Sequence, residues 1–354
     1  MNITFLIGNG FDLNLGLNTR YSDFYPYFIR KSTKNNMIRT WMEADELLWA
    51  DLEEQLGKKL ENVKKSEQDK FYEDKAELDR LLLDYLGDEQ KKVFIQNKEE
   101  KISEEFARSL RTFYSGLSEV GRNSIATTCN TYRNEDFQYC FICFNYTNVL
   151  DRIVDITRKL KSPITTHLGN GVKRNNSLGS VLHIHGTLNE EMILGVNDVN
   201  QINSGFLKND TEFLDTFIKR RMNNSIGQRK TEYAQKLIED SHIICIFGMS
   251  IGSTDKMWWE EIVKWLNRSD NNKLIIYYYG YNDELDRKLP VNTIRLNNRL
   301  KREILEKGGA DVKSSNIDKV KERIFISYNS DIFNFKEIRL VGDVTVFVNR
   351  KESV

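Results

Sequence analysis

The chain has 354 residues, with 52 Lys and Arg balancing 52 Asp and Glu, 40% hydrophobic residues, 3 Pro and 4 Cys. That length exceeds the usual ~100 to 150-residue domain and the apolar content is ample for a packed core, which excludes intrinsic disorder and leaves room for one elaborated domain or two. A net charge of zero offers no global field for phosphate backbones, and no apolar run approaches the ~20 residues of a membrane helix, so neither nucleic acid nor membrane is expected as a partner.

Residues 2–7 form a short apolar run that meets Gly8-Asn9-Gly10-Phe11-Asp12 at once, which predicts a buried strand feeding a tight turn. The start has no basic leader and reaches polar Asn9 and Asp12 too soon for a signal peptide, so a cytoplasmic protein with reduced thiols is expected. Over residues 21–121 apolar positions recur at helical spacing, as in Leu78, Leu82, Tyr85, Leu86 and again Ile102, Phe106, Leu110, Phe113, Leu117, predicting a helical insertion. Strand-like runs return at 138–144, 181–185, 242–247, 273–279 and 323–327, separated by helical patterns such as 148–160, 211–222 and 255–266. That alternation predicts an α/β fold with a doubly wound, mainly parallel sheet, Rossmann-like, over residues 1–20 and 122–354. The segments 337–340 and 344–348, joined through Gly342-Asp343, predict a closing hairpin or a last pair of edge strands.

Four loops after strands carry candidate chemistry. Gly8-Asn9-Gly10 opens a helix, where small residues let backbone N–H groups approach a phosphate, although Leu13 replaces the third glycine of the dinucleotide fingerprint. Asn145, in Phe144-Asn145-Tyr146-Thr147, can donate and accept at once and suits a carboxamide or ribose hydroxyl; capping the next helix is the plainer alternative. His183-Ile184-His185-Gly186 puts two histidines on one strand face with no third ligand signalled, so a proton-accepting His185 is favoured over a metal; His183 reads as a satisfied core histidine, an alternative that stays open for His185 too. Gly248-Met249-Ser250-Ile251-Gly252 matches a nucleophile elbow by spacing. All four histidines precede Ser250, however, which breaks the chain order of a Ser-acid-His hydrolase and leaves a nucleotide-binding loop, with Ser253 or Thr254 as helix cap. Cys140 and Cys143 face opposite sides of their strand, and the basic set Lys219, Arg220, Arg221, Arg229 and Lys230 reads as a solvated helix face.

Taken as a set, several segments resemble the AbiH abortive-infection proteins of bacterial anti-phage defence. They are Leu6-Ile7-Gly8-Asn9-Gly10-Phe11-Asp12-Leu13, Gly16-Leu17, Tyr21-Ser22-Asp23-Phe24, Leu48-Trp49-Ala50-Asp51-Leu52-Glu53, Phe144-Asn145-Tyr146-Thr147, His185-Gly186 and Phe247-Gly248-Met249-Ser250. Their order is also similar to that of sirtuin-like NAD-binding defence effectors. That resemblance implies an NAD glycohydrolase without a metal. In it Asn145 orients nicotinamide and ribose, His185 is the catalytic base, and Gly8, Asn9, Gly10, Phe11, Asp12, Gly248 and Ser250 line the nucleotide. Thr147 stands where the broader pattern has an acid, which favours the alternative of a non-catalytic module sensing NAD or an ADP-ribose-type nucleotide. The resemblance leaves room for a homo-oligomer or a defence-system partner protein. Trp49, Asp51 and Glu53 fit a gate or an oligomer face and have no chemical role in this reading. Three structural expectations follow: the loops of Gly8, Asn145, His185 and Gly248 share one pocket, a side chain at Gly10 blocks a phosphate while sparing the fold, and His183 and His185 share a face.

Overall fold

The computed structural model describes residues 1–45, 49, 51–160, 164–167, 173–280, 289–311, 317–335 and 339–340. Its centre is a six-stranded sheet of β1 (Asn2–Ile7), β2 (Gln138–Cys143), β3 (Ser177–His183), β4 (Ile243–Phe247), β5 (Lys273–Tyr278) and β6 (Ile324–Tyr328). Every neighbouring pair is parallel, and the order across the sheet is β3-β2-β1-β4-β5-β6. This is the doubly wound arrangement that the strand-helix alternation predicts, with the strand order found in dinucleotide-binding folds. The central strands are almost wholly apolar because helices cover both faces. On β1, Phe5 and Ile7 join one core with Phe141, Cys143 and Phe247, whereas Leu6 joins the opposite core with Ile142, Ile244 and Ile246. Phe5 stacks on Phe141 across the β1–β2 pair with ring centroids 5.9 Å apart.

Among the described residues seven α-helices lie between β1 and β2: α1 (Gly10–Asn14), α2 (Tyr21–Lys31), α3 (Met37–Ala44), α4 (Leu52–Lys59), α5 (Gln68–Lys91), α6 (Glu99–Arg111) and α7 (Glu119–Thr131). They divide by what their apolar stripes meet. Phe106 and Leu110 of α6 and Ile125 of α7 pack into the core beneath the sheet. Phe24, Phe28, Leu52, Leu56, Phe71 and Leu78 of α2, α4 and α5 instead build a third core with Leu194, Val196, Phe213 and Phe217, far along the chain. That core holds α4 against the segment following β3. Asp51 starts α4 by accepting the Glu54 N–H at 3.1 Å, a standard N-cap bond.

The later crossovers are α8 (Val149–Lys159), α9 (Thr211–Phe217), α10 (Lys219–Ser225), α11 (Lys230–Glu239), α12 (Lys256–Arg268), α13 (Pro290–Lys307) and α14 (Ile317–Lys321). The single helical pattern at 211–222 is broken. Ile218 is extended, because Val196 runs beside it: the Val196 N–H donates to the Phe217 carbonyl at 2.9 Å and the Lys219 N–H to the Val196 carbonyl at 3.0 Å. This break starts a new helix at Lys219. In the tail, Arg339–Leu340 pairs antiparallel with Val93–Phe94, while 344–348 lies outside the described residues. All four cysteines are buried and free, and among the described residues no helix is long and apolar enough to cross a membrane.

Candidate active site

In a parallel sheet ordered β3-β2-β1-β4, the chain leaves β1 and β4 in opposite directions, which opens a crevice at their carboxyl ends. Here the two loops close on each other through glycine. The Gly8 N–H donates to the Phe247 carbonyl at 2.9 Å, Gly10 to Gly248 at 2.7 Å, and Phe11 back to Gly8 at 3.0 Å. Gly248 sits at φ +69°, and a Cβ on Gly10 would stand 2.4 Å from the Gly248 Cα. Both glycines therefore serve a backbone-to-backbone approach. A side chain at Gly10 meets chain rather than open space, so the expectation that it spares the fold is corrected. Asn9 is tied to Thr19: its Nδ2 donates to the Thr19 carbonyl at 3.0 Å and its Oδ1 accepts from the Thr19 hydroxyl at 2.5 Å. Phe11 is a core residue edge-on to Phe247 and Phe333, and Ser250 is exposed.

Asp12 turns inward from α1 and is buried. The Thr147 hydroxyl donates to its Oδ2 at 2.7 Å, and its Oδ1 has no partner. Burial pushes the Asp12 carboxyl up to about 6, with Thr147, Asn145 and His183 pulling the other way. Beside it Asn145 is also buried; its amide acts on the Asp12 carboxyl as a hydrogen-bonding neighbour, and its Oδ1 has no partner. The main chain of Asn145 is fixed instead: the His183 Nδ1–H donates to its carbonyl at 2.8 Å, and His183 Nε2 reaches Asp151 Oδ2 on α8 at 2.7 Å. Burial alone would lower the basicity of His183, but the Asp151 carboxylate at Nε2 and the carbonyl at Nδ1 hold the ring above its ordinary range. Protonated, both its nitrogens donate. His183 is thus a satisfied interior histidine that holds Asn145.

His185 lies beyond the end of β3. Gly186 follows at φ +76°, where a Cβ would fall 1.8 Å from the Glu191 carbonyl oxygen, so only glycine turns the chain here. The His185 ring packs edge-on against Phe144 with centroids 5.6 Å apart, and its Nε2 lies 3.4 Å from Asp255 Oδ1. The expected shared face fails because the strand ends at His183. The two rings meet different groups, Asp151 on α8 and Asp255 ahead of α12.

Behind His185 stands a buried charge cluster that sequence patterning did not single out. Lys219 Nζ lies 2.6 Å from Glu53 Oε2 and 3.4 Å from Asp255 Oδ1, and all three side chains are largely withdrawn from solvent. Lys219 is therefore no part of a solvated basic face: the break at Ile218 turns it inward. Burial and the Lys219 charge push His185 down to about 4, so the ring is neutral near pH 7. Against its own burial, Asp255 is held well below the usual carboxylate range by Lys219 and His185. Lys219 is held above the usual range by Asp255 and Glu53, also against burial. Burial, countered by Lys219, pushes Glu53 up to about 7. Asp255 is the cap residue of α12, in place of Ser253 or Thr254, yet its carboxylate makes no capping bond and serves this cluster. Trp49 is a residue of the third core.

The four predicted loops are contiguous through Gly10–Gly248, Asp12–Thr147 and Phe144–His185 contacts. A cavity of about 20 Å³ beside the cluster is lined by His185, Lys219, Asp255, Asn197 and Asn223 among others, and is not lined by Gly8, Asn145 or Gly248. It has room for one water.

The family described as Bacteriophage abortive infection AbiH matches residues 4–279, from β1 to just past β5. The chain belongs to the AbiH family. That membership places it in phage abortive infection, and the match spans every residue of the site. Comparison with curated proteins gives no match.

Proposed function

We propose that this AbiH protein binds NAD at the carboxyl edge of β1 to β4 and hydrolyses the nicotinamide-ribose bond, depleting the cofactor in an infected cell. One observation carries the reading. On the elements that follow three adjacent strands, the Asp12 carboxyl and the Asn145 amide are buried beside each other, and Asn145 Oδ1 and both ring nitrogens of His185 have no hydrogen-bond partner. Buried polar groups are nearly always paired, so a cluster of unpaired ones suits a polar ligand. An amide offering both donor and acceptor, beside a carboxylate, fits a carboxamide and ribose hydroxyls. The acid that the sirtuin-like pattern carries at position 147 has a counterpart in Asp12, which Thr147 holds by its hydroxyl. In this reading nicotinamide leaves with the bonding electron pair, water attacks the oxocarbenium-like sugar carbon, and neutral His185 takes the proton the water loses. Asn145 orients the bond that breaks. In this reading the pyrophosphate passes beside Asn9 and Ser250, while Gly8, Gly10 and Gly248 hold the two loops together, their N–H and carbonyl groups being spent on each other and on Phe247.

The test is incubation of purified protein with NAD, following nicotinamide release by chromatography and binding by calorimetry. His185→Ala should cut release by about 10²- to 10⁴-fold while NAD still binds, as expected for loss of a general base. Asn145→Ala should weaken both. Binding without release in the unaltered protein would make the chain a sensing module, and absence of binding would overturn the reading.

A further inference from the structure

Lys219 is enclosed by carboxylates. Glu53 Oε2 lies at 2.6 Å and Asp255 Oδ1 at 3.4 Å, while the Thr254 carbonyl also lies at 3.4 Å. The same Asp255 oxygen is 3.4 Å from His185 Nε2, an ion-pair distance without hydrogen-bond geometry, so one carboxylate charge faces both an ammonium and an imidazole. A hydrogen bond or charge on one ring nitrogen decides which tautomer the ring adopts. We propose that Lys219 is a positioning residue for His185: clamped between Glu53 and Asp255, it fixes the Asp255 carboxylate against Nε2 and leaves Nδ1 as the unprotonated nitrogen.

Two further features support this. An uncompensated Asp255 beside a buried imidazole would draw a proton onto the ring and form an ion pair. Lys219 supplies the compensating charge and opposes that protonation directly. Glu53 in turn balances Lys219, which would otherwise be a buried cation with a single partner. The sequence segment around Trp49 and Glu53 thereby gains a chemical role. The other ionisable groups near the cluster are Arg220, which shares the cavity wall with His185, Asp51, which acts on Glu53, and Tyr21 and Tyr146, on which Glu53 and Asp255 act. The consequence for catalysis rests on the proposed reading of His185 as the base; the protonation state of His185 does not.

The test is a histidine C–H NMR titration of the full chain, with the His185 resonance identified by its loss in His185→Gln. In the unaltered protein His185 should remain neutral down to about pH 5. Lys219→Met should move its titration up into the neutral range, and Lys219→Arg, which keeps the charge, should not. Should Lys219→Met fail to fold, the double variant Glu53→Gln/Lys219→Met removes both members of the buried pair and should give the same upward shift. If nicotinamide release is present, Lys219→Met should lose about tenfold at pH 6 and recover by pH 8, a change that simple loss of stability would not produce. A His185 titration left unmoved by Lys219→Met or the double variant, or moved equally by Lys219→Arg, overturns the proposal. These outcomes are read without NAD, so a chain that releases no nicotinamide would refute the proposed activity and leave the assignment of Lys219 to be decided by the titration.

Discussion

Replacing Asp12 by Asn should stabilise this protein, and by an amount that grows with pH. The Asp12 carboxyl is wholly buried and titrates near 6, against an ordinary value of 3.8. The folded state therefore holds its proton more tightly than the unfolded chain. The stability linked to that proton is fully present below pH 3.8, falls as pH rises, and is lost above 6. A difference of about two units corresponds to roughly 3 kcal/mol at pH 8, of which ~1.6 kcal/mol has already gone at pH 5. Asn has nearly the same shape, keeps an acceptor for the Thr147 hydroxyl and carries no charge. The advantage of Asp12→Asn over the unaltered protein should thus widen by ~1.4 kcal/mol between pH 5 and pH 8. Urea unfolding at those two pH values measures it. A variant less stable than the parent at pH 8, or an advantage that does not change with pH, would refute the claim that a charged Asp12 is held at the expense of the fold. Nicotinamide release should fall in the same variant, since the charge is what the site keeps.

Two other substitutions separate scaffold from site. Gly10→Ala puts a methyl group 2.4 Å from the Gly248 Cα, with only backbone available to yield, so a loss of about 1 to 3 kcal/mol is expected, seen as a lowered melting temperature; melting at the parental temperature would show that the two loops can separate freely. His183→Gln removes a protonated ring bonded to both Asp151 and the Asn145 carbonyl, and should lower NAD affinity as well as stability. Unchanged NAD affinity in a folded His183→Gln protein would mean that the ring does not hold Asn145 in place.

The frame of the molecule could be read from its sequence because parallel strands covered on both faces must be apolar throughout. Ile243–Phe247 and the residues from Ile3 to Ile7 show this, broken only by Thr4, whose hydroxyl lies 2.6 Å from the Ser241 hydroxyl. Once the strands are placed, their carboxyl ends bring Gly8, Asn145, His185 and Gly248 to one edge. What periodicity could not show was any contact depending on a partner distant in the chain. Gly10 looks like a phosphate-loop glycine because only its own turn is visible in sequence, whereas its close neighbour is Gly248. Lys219 sits in a Lys-Arg-Arg run typical of a wet surface. The pairing of Val196 with Ile218 that turns it inward leaves no mark in hydrophobic spacing. Asp255 was hidden by its position, since it stands as the first residue of the 255–266 helical pattern, with Ser253 or Thr254 read as the cap; it is itself the cap residue.

The helices between β1 and β2 acquire their meaning from the same long-range contacts. Glu53 sits on α4, and α4 is held in place by Leu52 and Leu56 packing with Leu194, Val196 and Phe217, the stretch that also forces the break before Lys219. The third core therefore does two things with one set of contacts: it seats α4 and it delivers Lys219 to meet Glu53. A buried lysine with one carboxylate would leave Asp255 to serve both it and His185. With Glu53 supplied from the helical segment, Lys219 has a second partner and Asp255 can be shared. The segment is in this sense part of the site: without it the buried Lys219 ammonium would have Asp255, at 3.4 Å, as its one carboxylate partner among those described.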